Sequence, residues 1–220
     1  MDEARIAELL EPFLSDNSRP TAVLSSAQIR LISMYIDLLL RWNDRVNLTA
    51  IRAPEEIVTR HFGESIFAAR QLFPLPGVEA GATAHVIDVG SGAGFPGLPA
   101  KVWAPHLRLT LIESNQKKAT FLREVVRHLG LANVDVFGAR AETYLGSRGD
   151  VVMFRAVEHF ESVLLHAAGL VRPGGCLAVM VGRSQLDRCR KLLPGFQWKY
   201  PISLPISSNR CLIIGSNEPR

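Results

Sequence analysis

The segment from Val86 to Gly97 constrains this chain more than any other. An apolar run, His85 to Val89, leads into Gly90, Gly92, Gly94 and Gly97, with Asp88 just ahead of them. A run of that length reads as a buried strand, and alternate glycines after it describe a turn whose backbone takes left-handed dihedrals and admits a close ligand. Spacing alone fits two ligand classes. Gly92, Gly94 and Gly97 satisfy the G-x-G-x-x-G dinucleotide fingerprint, and Glu113 follows about 20 residues on, where that motif places its acid. Asp88 discriminates between the two. Its position puts it near the carboxyl end of the strand, beside the ligand, where it repels a pyrophosphate and complements the ammonium and sulfonium of S-adenosylmethionine. The expected donor is therefore S-adenosylmethionine.

The 220 residues, 47% of them hydrophobic, suit one principal domain with an appendage. Cys176, Cys189 and Cys211 are odd in number and widely spaced, so neither a disulfide framework nor a metal cluster is expected, and buried reduced thiols are. The opening Met1-Asp2-Glu3-Ala4-Arg5 lacks the basic start of a signal peptide, and no apolar run is long enough to span a bilayer. A cytoplasmic, monomeric protein with no membrane association and no metal is expected. A net charge of +4 and a pI near 9.2 permit phosphate contact without demanding it.

Up to about Phe73 the apolar spacing is helical. Ile6, Leu9, Leu10 and Phe13 mark one helix. Ile29, Ile32, Ile36, Leu39 and Leu40 mark a second, capped by Ser25 and Ser26, and a third starts at Pro54-Glu55-Glu56. Leu72 to Gly77, with small residues following to Ala84, reads as a linker, which divides the chain into a helical region, 1–74, and a ligand-binding domain, 75–220. Beyond His85, apolar runs at Leu107 to Ile112, Val134 to Phe137, Val151 to Phe154 and Leu177 to Val181 alternate with helical patterns, which predicts a doubly wound parallel sheet. Arg172-Pro173-Gly174-Gly175 reads as a sharp turn before the Leu177 strand. Tyr200 to Leu204 and Cys211 to Ile214 flank Ser207-Ser208-Asn209 as an antiparallel pair, an ending typical of methyltransferases.

Ligands of such sheets sit beyond the carboxyl ends of the strands. There the loop Gly90 to Gly97 offers backbone N–H groups to the methionine portion of the donor, and Phe95 covers its apolar body. Glu113 ends the second strand, placed to accept from both ribose hydroxyls or, alternatively, to cap the next helix or pair with Lys117. Ala141 and Glu142 follow the third strand, beside the adenine, unless they are simply exposed loop residues. Arg155 ends the fourth and faces the cleft as a candidate for aligning the substrate, with an ion pair to Glu158 or Glu161 as the alternative. His61 reads first as a hydrogen-bonded, half-buried histidine, and no residue is assigned a catalytic role. Lys117, Lys118, Arg123 and Arg127 read as a solvated face. No serine elbow, hydrolase carboxylate pair or acceptor motif of amino-group methyltransferases is visible. That leaves acceptors with a free lone pair, such as a ring nitrogen, which need alignment more than a base.

These residues resemble the small-subunit ribosomal RNA methyltransferase G family, also called glucose-inhibited division protein B. The likeness is carried by Asn47 to Ile51, Arg60-His61, Asp88 to Pro99, Phe121-Leu122-Arg123, Arg140-Ala141-Glu142 and Arg155-Ala156. Within it, Pro96-Gly97-x-Pro99 after the glycine loop is not general to methyltransferases. The resemblance implies a Rossmann-like class I sheet with an antiparallel last strand behind a helical extension. It also implies methylation of a guanine N7 in small-subunit rRNA or the 30S particle, and donor contacts at Gly90, Phe95, Ala141, Glu142 and Arg155. Two positions depart from the family pattern. Glu64 stands where aspartate is usual, and Val181 stands where many members carry a lysine before Gly182, with Arg183 as a possible substitute. The helical region is the natural grip for RNA around an unstacked base. Alternatives are a different acceptor, small molecule or protein, a dinucleotide enzyme, or a non-catalytic rRNA-binding factor that senses the donor.

Overall fold

The computed structural model describes residues 1–15, 22–73 and 83–217, so the expected linker and the boundary at 74 and 75 lie almost wholly outside the described residues. Helix α1 (Glu3–Leu14) is followed by α2 (Ser26–Asn43), which starts at a capping box. Ser25 Oγ accepts from the Gln28 N–H at 3.3 Å and Gln28 Oε1 accepts from the Ser25 N–H at 2.9 Å. The helix begun at Pro54 runs to Leu72 but changes its pitch on the way. α3 (Pro54–Glu56) passes into a π-helical segment, Ile57–Gly63, and then into α4 (Glu64–Leu72). Gly63 is where α1 rests on this wide turn, since a Cβ there would lie 2.5 Å from the Phe13 ring.

Strands β1 (His85–Val89), β2 (Arg108–Ile112), β3 (Val134–Phe137), β4 (Gly149–Arg155) and β5 (Val171–Gly182) pair in parallel, while β6 (Gln197–Trp198) and β7 (Ile202–Ser203) each pair antiparallel with β8 (Arg210–Ser216), itself antiparallel to β5. The order across the sheet is β3-β2-β1-β4-β5-β8-β6. It reverses direction between β1 and β4, the switch point at which ligands of open sheets bind. Helices α5 (Gly97–Trp103), α6 (Gln116–His128), α7 (Phe160–Gly169) and α8 (Leu186–Leu192) complete the domain. Two details differ from the sequence reading. Residues Arg172 to Gly175 bulge out within β5, between the Gly149–Val171 and Val151–Cys176 pairs, because Gly174 takes φ +74°. The short β6, too brief to show a period, was not foreseen.

Strand alternation divides the core. Val86, Leu109, Leu111, Val151, Met153 and Ala178 face the helical region with α5 and α6, whereas Ile87, Val89, Val152, Phe154, Leu177 and Val179 face α7 and α8. The helical region has no core of its own, since Ile6, Phe13, Ile32, Ile36 and Phe62 belong to the same cluster as the first sheet face. Tyr35 of α2, fully buried, donates its hydroxyl to the Ala93 carbonyl in the glycine loop. Cys189 and Cys211 are buried and Cys176 is half-buried, all as free thiols. No helix among the described residues is long and apolar enough to cross a membrane. Tyr35→Phe removes the one donor that satisfies Ala93 from above, and chemical denaturation should show a loss of about 1–2 kcal/mol. An unchanged midpoint would mean that the loop is held without α2.

Candidate functional site

A cleft of about 1340 Å³ opens at the carboxyl ends of β1, β2, β4 and β5, where Val89 to Gly92, Ile112 to Asn115, Arg155 to Glu158 and Met180 to Gly182 form its walls. The helical region supplies the remaining side through Leu48 to Ile51, Arg60, His61 and Glu64, and β8 contributes Arg210. Of the residues singled out from sequence, Gly90, Gly92, Phe95, Glu113, Ala141, Glu142 and Arg155 line this one cleft, while Asp88 and Gly94 do not.

Asp88 corrects the sequence reading. Alternation turns its side chain, like that of Val86, toward the face covered by α5. There it is fully buried under the loop, and its Oδ2 accepts from the Gly97 N–H at 2.9 Å while Oδ1 has no partner among the described residues. Burial raises its pKa to about 7, against the opposing pull of the Gly97 N–H. A side chain at Gly97 would stand 2.7 Å from Oδ2, so the glycine is there to let the acid reach the backbone. Gly94, at φ +91°, is likewise hemmed in, since a Cβ would run into the Tyr35 hydroxyl and lie 2.5 Å from Leu98 Cδ1.

The loop also differs from expectation in what it presents. All but one of its N–H groups, that of Ala93, are spent internally: Gly90 and Ser91 donate to Ile112 O, Gly92 to Glu113 Oε2 at 2.8 Å, Gly94 and Phe95 to Ser91 O, Gly97 to Asp88 and Leu98 to Gly94 O. Pro96 and Pro99 have no N–H to give. The first turn of α5 therefore holds no spare donors for a phosphate. The Gly90 and Gly92 carbonyls, by contrast, accept no hydrogen bond among the described residues. Glu113 is buried and takes Gly92 N–H on one oxygen and Asn115 N–H, at 2.7 Å, on the other, which orients the carboxylate and leaves further lone pairs. Asn115, not Glu113, caps α6 by accepting from the Lys117 and Lys118 N–H groups.

Arg155 pairs with neither Glu158 nor Glu161, and Glu161 reaches Arg188 instead. Its NH1 donates to Arg60 O at 2.5 Å and to Glu64 Oε2 at 3.5 Å, and its NH2 donates to His61 Nδ1. Burial, followed by the charges of Arg155 and Arg60, lowers the His61 pKa to about 3, so the ring is neutral. With Nδ1 accepting, Nε2 carries the proton and donates to Thr49 Oγ1 at 2.8 Å, a tautomer assigned from this network. Phe95 packs against His61 at 4.6 Å and Tyr35 at 5.5 Å between ring centroids, with the Arg155 guanidinium 5.7 Å from its centre. On the opposite rim Glu142 lies 3.7 Å from His166.

The sequence reading missed Arg210, which bonds Glu64 Oε1 through Nε at 2.9 Å and also through NH2. An antiparallel last strand starts at the edge where the parallel strands end, and pairing with Gly182 there brings Arg210, the first residue of β8, to the cleft. Arg183 does not take the position left by Val181. It turns to Ser203 Oγ, at 2.6 Å.

The family model described as rRNA small subunit methyltransferase G matches residues 28–206. Relatives named ribosomal RNA small subunit methyltransferase G include one from Stenotrophomonas maltophilia, 38% identical over 87% of this chain and 93% of its own. Another, from Neisseria meningitidis, is 38% identical over 76% of this chain and 77% of its own. Among solved structures, a ribosomal protein L11 methylase from Lactobacillus delbrueckii is similar with a TM-score of 0.58 at 12% identity, over 73% of this chain and 79% of that one. A methyltransferase from Pyrococcus furiosus reaches 0.57 at 18% identity, over 70% and 82%. The loop, the sheet order and this match along most of the sequence agree: the chain belongs to the rRNA small subunit methyltransferase G family.

Proposed function

We propose that this protein transfers a methyl group from S-adenosylmethionine to N7 of a guanine in small-subunit rRNA. One observation carries the choice of donor. Apart from that of Ala93, the N–H groups of the glycine loop and of the α5 N-terminus are consumed inside the protein, while the Gly90 and Gly92 carbonyls and the Glu113 carboxylate remain as acceptors. This side of the cleft suits an ammonium and vicinal hydroxyls and lacks the array of free loop and helix N–H groups that holds a pyrophosphate. The relatives' name supports the acceptor class, and the cleft, larger than one small ligand needs, leaves room for a base beside the donor.

In this reading the Gly90 and Gly92 carbonyls take the ammonium, Glu113 takes the ribose hydroxyls, and Ala141 and Glu142 flank the adenine. The donor supplies an electrophilic methyl on a sulfonium. Guanine N7 has a free lone pair on its Hoogsteen edge, so no residue is required as a base. What the protein contributes is alignment. Phe95, held between the helical region and the loop, and Arg155, fixed by Glu64 and His61, form a stiff wall against which the acceptor is set. The role of Asp88 is to hold the loop in the shape that turns its carbonyls outward.

Incubating the protein with methyl-labelled S-adenosylmethionine and 30S subunits or bare rRNA, followed by borohydride and aniline treatment, should give label in the RNA and scission at one guanine. Label in protein or small molecules, or donor binding without transfer, would contradict the proposal. Glu113→Gln should weaken donor binding about 10-fold or more, the worth of a charge-assisted hydrogen bond. Arg155→Ala should lower kcat/KM by about 100-fold. The raised pKa of Asp88 also sets a pH dependence. The folded state keeps this proton up to about pH 7, whereas the unfolded chain releases it near the ordinary value of 3.8, so the Asp88 contribution is full at low pH and is lost as pH rises through 7. His61, lowered to about 3, acts oppositely below its ordinary 6.5. In denaturation from pH 4 to 8, Asp88→Asn should gain stability relative to wild type as pH rises. A constant difference would show that Asp88 is ionised throughout.

A further inference from the structure

At the mouth of the cleft one carboxylate is shared by two arginines. Glu64, at the first turn of α4, gives Oε2 to Arg155 and Oε1 to Arg210, and its side chain is only 4% exposed. The two guanidiniums differ in what they have left. Both NH1 hydrogens of Arg155 are spent, on Arg60 O and Glu64, one NH2 hydrogen goes to His61, and the side chain is 14% exposed. Arg210 bonds Glu64 through Nε and NH2 alone, its NH1 has no partner among the described residues, and its side chain is 35% exposed. One face of Arg210 is therefore fixed against a buried acid while the other is open toward the cleft.

The surroundings leave that open charge uncompensated. Two arginines against one glutamate, with His61 neutral, leave a net positive charge, and Arg60 on the same rim adds to it although it also pairs with Glu56 at 3.1 Å. The strand beside Arg210 supplies no cation at this level, because Gly182 stands opposite it and the apolar Val181 lies one residue further along. Fixing one side of a guanidinium removes much of the rotamer entropy that a free surface arginine loses on gripping an anion.

We propose that Arg210 binds a backbone phosphate of the acceptor RNA at the mouth of the cleft, with Glu64 as the positioning residue that aims it. This rests on the reading of the site as one that takes rRNA. A phosphate is the partner favoured by the rim location and by the open NH1, which suits backbone oxygens that set register rather than a base edge buried in the cleft.

The test is methylation of 30S subunits or rRNA by full-length wild type, Arg210→Ala, Arg210→Gln, Arg210→Lys and Glu64→Gln over a range of salt. Arg210→Ala should raise KM for RNA about 10-fold at low salt, leave kcat and donor affinity within about 2-fold, and flatten the plot of log affinity against log salt by about 0.7, one phosphate on a single strand. Arg210→Gln, which keeps a hydrogen bond to Glu64 without the charge, should lose the same slope, and Arg210→Lys should recover it. Glu64→Gln should raise KM while keeping the slope. Neutral variants at Arg210 with wild-type KM and salt slope, or with losses confined to thermal stability or donor affinity, would overturn the proposal and leave a structural ion pair. Wild type that binds the donor but leaves rRNA unlabelled would instead overturn the rRNA reading beneath it.

Discussion

The bond from the Gly97 N–H to the Asp88 side chain governs the glycine-loop side of the cleft. Burial makes this acid costly to ionise and raises its pKa to about 7, while the backbone of the loop closes over it. Closure requires that position 97 carry no side chain, and it consumes the N–H that would otherwise open the first turn of α5 to an anion. Tyr35 holds the same loop at Ala93 from the helical region. Around these two anchors the chain passes through Gly90, Gly92 and Gly94 at φ +69°, +57° and +91°, and the N–H groups of Gly90, Ser91, Gly92, Gly94 and Phe95 bond inside the protein. A glycine loop that fits a dinucleotide by spacing is thereby converted into one that presents carbonyls.

The helical region is part of this machinery and has no separate core. α2 carries Tyr35, and Asn43 at its end fixes the following loop by accepting from the Leu48 and Thr49 N–H groups. That loop positions Thr49 to receive the His61 proton. The π-helical segment places Arg60 and His61 on the cleft wall, and α4 begins with Glu64 on the same wall. The chain thus places Arg60 and His61 on a segment of irregular pitch against which the Phe13 ring packs at Gly63, a frequent setting for functional residues.

Much of this was legible in the sequence because it follows from short-range rules. The alternating apolar runs located β1 to β5, Ser25 and Ser26 announced the start of α2, and the Ser207 to Asn209 turn announced the antiparallel ending. The cleft lining was legible for the same reason, since Glu113 directly follows β2, Arg155 ends β4 and Ala141 lies in the loop after β3. What the sequence hid depends on three-dimensional partners. Alternation and the distance from Gly90 put Asp88 near the carboxyl end of the strand but do not say which face of the sheet lies beside the ligand, and the face it shares with Val86 is the one under α5. Arg155 was offered acids near it in sequence, while its partners come from the helical region, more than 90 residues away. Arg210 was unmarked because nothing local distinguishes it from other surface arginines, and only the antiparallel register with Gly182 brings it to the site.

The most direct measurement is a pair of calorimetric titrations, one with S-adenosylmethionine and one with NAD, on the same preparation. A loop whose donors face inward and whose carbonyls face outward should bind the sulfonium compound at a single site and leave NAD without measurable heat. Saturable NAD binding, or no heat from S-adenosylmethionine, would contradict it.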